Sequence, residues 1–484
     1  RRAMKQYKEY AFTELTKKSI STFSDENTSR YISALTNDAV CIETNYLAKI
    51  FTLLTKSVSF VGGLVMMLLY SPLLTGFALL LSLVPLAVSV LCGNRLARME
   101  TEVSRQNESF VAMTKDLLSG FSVVKSFKAE AEVVARFCRR NEELEETKGR
   151  RRRMEEVITM LGTGAGIVAQ LGVFLFGAYL AVTKQGVTPG VVIVFLPLMS
   201  FVVDPIGSVP PILANRRAAV ALIDKLADAV GKNVRESGEQ MDPVLRDGIT
   251  IDHLTYGYHE SAPVLNDVSV RFEAGKSYAI VGTSGSGKST LVNLLMGSSN
   301  DYQGSIRFDQ RELRSIATES LYGLVSVVQQ NVFIFDDTIR NNITMFRHFD
   351  EMLVQQATEK AGLTPLLAER GEDYICGENG SGLSGGERQR ISIARCLLRQ
   401  TPVLLIDEAT AALDAATAYS VSAAILAIEG LTRIVVTHRL EEPLLRKYDE
   451  ILVLKNGEIC ERGSFDALMA RREQFYSLFN VANG

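Results

Sequence analysis

No tryptophan occurs among the 484 residues, so no tryptophan belt can anchor the chain at a membrane surface. The four histidines, His253, His259, His348 and His438, are too few and too scattered for a metal cluster, and any catalytic histidine must be one of them. Cys41, Cys92, Cys138, Cys376, Cys396 and Cys460 form no C-x-x-C pair, which excludes a zinc module and a disulfide scaffold and fits a reducing compartment. Charge is also scarce. Charged residues make up 22% and hydrophobic ones 47%, with a mean hydropathy of +0.11, high for an ordinary soluble enzyme. The chain opens on Arg1 without a signal peptide, so it reads as a fragment or a processed product.

What is present is unevenly distributed. At roughly 150 residues per domain the length allows two to four units. Residues 1–220 hold 26 Lys and Arg against 19 Asp and Glu, a net +7, which leaves the remainder at −10. One part is basic and apolar, the other acidic.

The basic part holds long apolar runs. Residues 57–93 form 37 consecutive positions without a charge, broken by Tyr70-Ser71-Pro72, enough for two spans of about 20 residues each. A second pair flanks Lys184-Gln185-Gly186. Four spans are therefore expected at about 51–70, 73–93, 157–183 and 187–213, with cytoplasmic helical extensions at 1–48 and 94–156. Basic residues set the orientation: 14 lie in 94–153 and seven in 1–48, so both termini are placed in the cytoplasm. Residues 120–125, Gly-Phe-Ser-Val-Val-Lys, break the helical pattern and read first as a hairpin turn. Asp204, ahead of Pro205, Pro210 and Pro211, reads as a solvated inner-leaflet charge on a kinked helix, with a place on a substrate path as the alternative.

Residues 226–247 are polar and form the linker; the transmembrane domain is taken as 1–225 and the C-terminal domain as 248–484. From Gly248 the pattern turns to short β-type runs alternating with helical stretches, an α/β domain with a largely parallel sheet. Tyr278-Ala279-Ile280-Val281 runs into Gly282-Thr283-Ser284-Gly285-Ser286-Gly287-Lys288-Ser289 and a helix from Thr290, a G-x4-G-K-S loop in its strand-loop-helix context. Its backbone N–H groups can converge on phosphate oxygens. Lys288 is placed to neutralise the β and γ phosphates, and Ser289 to ligate Mg²⁺. The run Val403-Leu404-Leu405-Ile406-Asp407-Glu408 adds Asp407 for the magnesium shell and Glu408 to orient or deprotonate the attacking water. His438 follows another strand, Ile434-Val435-Val436.

Leu383-Ser384-Gly385-Gly386-Glu387-Arg388-Gln389-Arg390, 23 residues before Asp407, makes the pattern specific. With it the chain resembles the ATP-binding cassette (ABC) transporters over nearly its whole length, as an exporter-type half-transporter of the multidrug or lipid group. The resemblance implies an α-helical transmembrane domain followed by an α/β cassette, with ATP and Mg²⁺ as cofactors. It implies that Tyr258 stacks on adenine, that Gln330 reaches magnesium and communicates with the membrane helices, and that His438 contacts the γ phosphate. Glu378 matches a loop that touches the membrane domain. Ser384, Gly385, Gly386 and Asp414 are expected to act on ATP held by a partner chain, so a second half-transporter, identical or related, is required.

The same resemblance makes residues 19–28 and 120–127 the two segments that dock into cassettes. It implies six spans against the four read here, so two N-terminal spans are expected to be missing. Glu387 stands where glutamine is commonest, and Ala411 where the loop before Asp414 has serine; hydrolysis is still expected. The implied activity is ATP-driven export of a small-molecule, lipid or peptide cargo at a plasma membrane of bacterial type, with the cassette in the cytoplasm. An ATP-gated channel on the same scaffold is the alternative. A soluble ABC ATPase acting on nucleic acid is disfavoured by the apolar runs and the acidic cassette.

Overall fold

The computed structural model describes residues 2–18, 20, 23, 28–183, 185–231, 238–258, 263–408 and 412–483. The chain divides into two compact units, Arg1–Arg235 and Glu236–Gly484.

The first unit is built of helices among the described residues. Its elements are α1 (Arg2–Leu15), α2 (Thr28–Tyr70), α3 (Pro72–Ser119), α4 (Phe121–Ser126), α5 (Glu130–Val182) and α6 (Pro189–Gly231). Ser71 ends one helix and starts the next: its extended backbone breaks α2, its hydroxyl accepts from the Leu74 N–H, and Pro72 occupies a first-turn position where no N–H is needed. Three helical segments, Thr28–Tyr70, Glu130–Val182 and Pro189–Ile206, are long and apolar enough to cross a membrane. The second expected span lies on α3, whose apolar stretch among the described residues is Pro72–Ala87. Helix α6 continues past Pro205, Pro210 and Pro211 to Gly231.

Residues 120–125, read first as a turn, form a short helix of their own. Gly120 closes α3, and Lys128, at φ 52°, redirects the chain into α5. Met67, Leu74, Val173, Phe195 and Met199 pack between the helices, while Phe51, Leu54, Val58 and Leu69 remain exposed on α2, as lipid-facing residues do.

The second unit has two sheets where one largely parallel sheet was expected. Strands β1 (Gly248–Tyr256), β2 (Leu265–Glu273), β4 (Gln303–Phe308) and β5 (Arg311–Glu312) form an antiparallel sheet in the order β2-β1-β4-β5. The second sheet has the order β10-β9-β3-β8-β7-β6, from β3 (Ser277–Gly282), β6 (Val325–Val328), β7 (Val403–Asp407), β8 (Thr432–Val436), β9 (Glu450–Lys455) and β10 (Glu458–Gly463). All its pairings are parallel except β10 with β9.

Both faces of this sheet are covered, which is why its strands read as unbroken apolar runs. Ala279, Val281, Leu404, Ile406 and Val435 enter one core; Tyr278, Ile280, Leu405, Ile434 and Val436 enter the other. The strand order sets the carboxyl ends of β3, β8, β7 and β6 side by side, and the segments that carry Lys288, His438, Glu408 and Gln330 leave from them.

Candidate functional site

The loop after β3 owes its shape to glycine at two positions. A Cβ on Gly282 would lie 2.2 Å from the Leu454 carbonyl oxygen, inside the β3–β9 pairing. At φ 100°, Gly287 turns the chain into helix α7 (Lys288–Leu295) with Val264 and Leu265 packed against it. Gly282→Ala is expected to lower the melting midpoint of the cassette by several degrees, because the backbone contact cannot relax without unpairing a strand; an unchanged midpoint in a calorimetric scan would contradict this.

Inside the loop, the Lys288 ammonium is buried and donates to the carbonyls of Gly282 and Thr283 at 3.1 and 2.9 Å. Burial pulls its pKa below the ordinary lysine value, against the pull of Glu408 and Asp407 in the other direction. The Ser286 hydroxyl is buried without a hydrogen-bond partner, whereas Thr283, Ser284 and Gly285 face outward. An unpaired buried hydroxyl beside a buried ammonium is a cradle short of an anion. Tyr258 stands exposed nearby, its hydroxyl 3.3 Å from that of Thr290 on α7.

From β7, Asp407 accepts a hydrogen bond from the Ser289 hydroxyl at 3.0 Å. Burial holds its carboxyl above the ordinary aspartate range, partly offset by that bond. A half-buried carboxylate and a hydroxyl oxygen are hard donors of the kind Mg²⁺ selects, so the residues present fit that ion. Glu408, the next residue, has φ 54°, and its N–H donates to the Val436 carbonyl at 3.2 Å. Its carboxylate is held from two sides: His438 Nε2 lies 2.7 Å from Oε1, and the Gln330 amide donates to Oε2 at 3.0 Å. The folded chain thus joins Gln330, Glu408 and His438, from the ends of β6, β7 and β8, in one cluster, with Ser289, Asp407 and Lys288 alongside.

Ser384, Gly385, Gly386 and Asp414 form a separate group. Ser384 caps helix α8 (Gly385–Leu398) and spends its bonds there: the Glu387 N–H donates to its hydroxyl at 3.2 Å, and its own N–H donates to Glu387 Oε2 at 2.7 Å. Either glutamate or glutamine supplies the acceptor this capping box needs, which accounts for Glu387 at that position. Asp414 caps helix α9 (Ala415–Leu426) through the Thr417 N–H at 2.9 Å, and hydrogen bonding from the Thr417 side chain, with this backbone bond, lowers its pKa. Gln389, quoted in the sequence only as part of a motif, accepts from the Ala412 N–H at 3.1 Å and so ties α8 to the loop before Asp414. Its burial on a polar helix is the signal that sequence alone does not give. Glu378 is exposed. Ala411 and most of residues 19–28 lie outside the described residues.

In the membrane unit, Asp204 forms an ion pair with Lys56 of α2 and lines a cavity of about 510 Å³. Lys56 lies 148 positions away in the chain, a partner for Asp204 that the sequence does not reveal.

A buried ammonium in a glycine loop, a hydroxyl–carboxylate pair and a glutamate clasped at a strand end define a P-loop nucleotide hydrolase, fused here to a bundle of long apolar helices. Comparison with known proteins agrees. Residues 2–206 match the ABC transporter transmembrane region and residues 265–411 match the ABC transporter family. The ATP-dependent lipid A-core flippase of Syntrophus aciditrophicus is 29% identical over 485 residues, covering 97% of this chain and 79% of that protein. The protein of the same name from Yersinia pestis bv. Antiqua (strain Antiqua) is 28% identical over 480 residues, covering 96% and 81%. A bacterial Atm1-family ABC exporter, solved with ATP bound, superposes with a TM-score of 0.91 at 24% identity, covering 100% of this chain and 86% of that one.

The chain belongs to the ABC transporters. It is a half-transporter of the exporter type, an ATPase whose hydrolysis drives transport.

Proposed function

We propose that the cluster around Glu408 hydrolyses ATP in a dimer of cassettes, and that two such half-transporters export an amphiphilic, lipid-like cargo. The observation that carries this reading is the Glu408 carboxylate held between His438 and Gln330 beside the Ser289–Asp407 pair. Lys288 and the loop from Gly282 to Thr290 hold the phosphates, and Tyr258 offers its ring to adenine. Ser289 and Asp407, joined by Gln330, hold Mg²⁺, which when bound shields the charge of the phosphates. Glu408 takes the proton of the attacking water, with His438 and Gln330 fixing its carboxylate.

The signature residues supply the other half of the site in trans. Ser384 spends its bonds capping α8, where Gly385 and Gly386 leave the helix start open for the phosphates of the opposite chain's ATP. The partner is a second copy or a related half-transporter. A lipid-like cargo is supported by the flippase relatives. An even count of four spans, with the apolar stretch of α3 as the second, keeps both termini on one side, and the basic residues between the spans support the cytoplasmic face of a plasma membrane of bacterial type as that side.

The short helix α4 is the coupling segment, because Phe121 and Val123 are exposed on it and Phe127 is exposed just beyond its end. Phe121→Asp is expected to leave nucleotide binding intact and to abolish cargo-stimulated ATP hydrolysis together with transport. Full transport by that variant would remove α4 from this role.

ATP-dependent uptake of a labelled lipid into inverted vesicles, against its gradient, tests the export reading. Uptake that merely equilibrates the lipid would support a gated channel instead.

A further inference from the structure

In the cassette, the short segment 412–414 is gripped from two sides. The buried side chain of Gln389 on α8 accepts the Ala412 N–H at 3.1 Å. From the opposite side the Arg439 guanidinium donates to the Leu413 carbonyl at 2.6 Å. The same segment lies directly on the signature glycines. A Cβ on Gly386 would stand 3.0 Å from Leu413 Cδ2 and 3.2 Å from the Ala412 carbonyl oxygen, and one on Gly385 would stand 3.3 Å from the Ala412 Cβ. With no room there for a methyl group, a displacement of Leu413 is passed on to Gly385 and Gly386.

Arg439 follows His438 in the chain, and the turn that carries both is fixed. The Thr437 hydroxyl accepts the Arg439 N–H at 3.0 Å, and the Thr437 N–H donates to the Ile280 carbonyl of β3 at 3.2 Å. His438 Nε2 in turn lies 2.7 Å from the Glu408 carboxylate. A run of single hydrogen bonds and peptide links therefore leads from Glu408 through His438, Arg439 and Leu413 to the signature glycines. Within that run the guanidinium is the side chain that crosses between two loops. Its other partner, Glu441, is 3.9 Å away, so the bond to the Leu413 carbonyl is the close one, and a charged donor makes it one of the stronger kind.

Resting on the two-cassette reading above, we infer that Arg439 is a positioning residue that sets the signature glycines of its own chain against the ATP of the opposite chain, according to where His438 stands. His438 belongs with the ATP held by its own Lys288 loop, whereas Gly385 and Gly386 serve the opposite nucleotide. Arg439 touches neither, and acts by holding the Leu413 carbonyl between them.

Marking one of the two sites tests this. In nanodiscs holding two copies of the chain, one of them carrying Glu408→Gln, single-turnover phosphate release reports the ATP held by the copy with Glu408 intact. The signature that completes that site belongs to the Glu408→Gln copy. Arg439→Ala added to the Glu408→Gln copy is expected to slow release about ten-fold, the loss of one hydrogen bond from a charged donor, while the Kd of a fluorescent ATP analogue stays the same. Added instead to the copy that hydrolyses, it is expected to cost far less. Arg439→Lys keeps a cationic donor and is expected to restore most of the rate, which separates the lost bond from lost folding. A loss that follows the hydrolysing copy would make Arg439 a support for its own His438 and overturn the inference, as would equal release with and without Arg439→Ala. Should the marked pair release no phosphate, discs with Arg439→Ala in both copies decide by steady state. There a kcat about ten-fold lower at unchanged Kd is expected, and an unchanged kcat or a raised Kd would overturn the inference. Hydrolysis at the full rate in one-copy discs would refute the two-cassette reading itself, whatever the Arg439 variants do.

Discussion

Replacing Glu408 by glutamine is expected to slow ATP turnover by about 10²–10⁴-fold, the range a lost general base costs, while ATP stays bound. The substitution keeps the side chain's shape and one carbonyl oxygen, so the contact with the Gln330 amide can persist. What it removes is the acceptor for the water's proton. Retention of labelled ATP on the Glu408→Gln protein, beside its steady-state phosphate release, checks both halves. Turnover at the unaltered rate would end the assignment of Glu408 as base.

Lys288→Ala acts earlier in the cycle. The ammonium is buried among backbone carbonyls, and its charge has already been taken out of water on folding. A phosphate therefore gains nearly the full attraction of a desolvated cation. Removing it is expected to raise the Kd for ATP by ten- to a hundred-fold, the equivalent of about 1.5–3 kcal/mol for a hydrogen bond to a charged group. Titration with a fluorescent ATP analogue measures the change. An unchanged Kd would show that the backbone of the loop holds the phosphates without this side chain.

The motif residues were legible because each is set by local backbone geometry. A glycine loop between a strand and a helix has one shape, and Asp407 and Glu408 can only stand where an apolar strand runs out. The strand order then brings these ends together, and that order is not written in any one segment. Strands β4 and β5 escaped: β5 has two residues, Arg311 and Glu312, with no periodicity to read, and β4 carries only Ile306 and Phe308 as large apolar residues. In the membrane unit, hydropathy revealed the apolar runs but not their pairing. Lys56 lies at the edge of one run and Asp204 deep in another, and only the packing of α2 against α6 makes them partners. The sequence showed Glu387 only as a departure from glutamine, and its capping bond to Ser384 comes from the folded helix start; the reach of Gln389 to Ala412 likewise depends on a loop that folds back over α8.

One cassette is not expected to hydrolyse ATP alone. The most direct measurement is the rate of ATP hydrolysis per chain in nanodiscs sorted to contain either one copy of the protein or two. Hydrolysis confined to the two-copy discs is the predicted result, since Ser384 and Gly386 must face the Lys288 loop of an opposing chain. Equal rates per chain in the one-copy discs would contradict it.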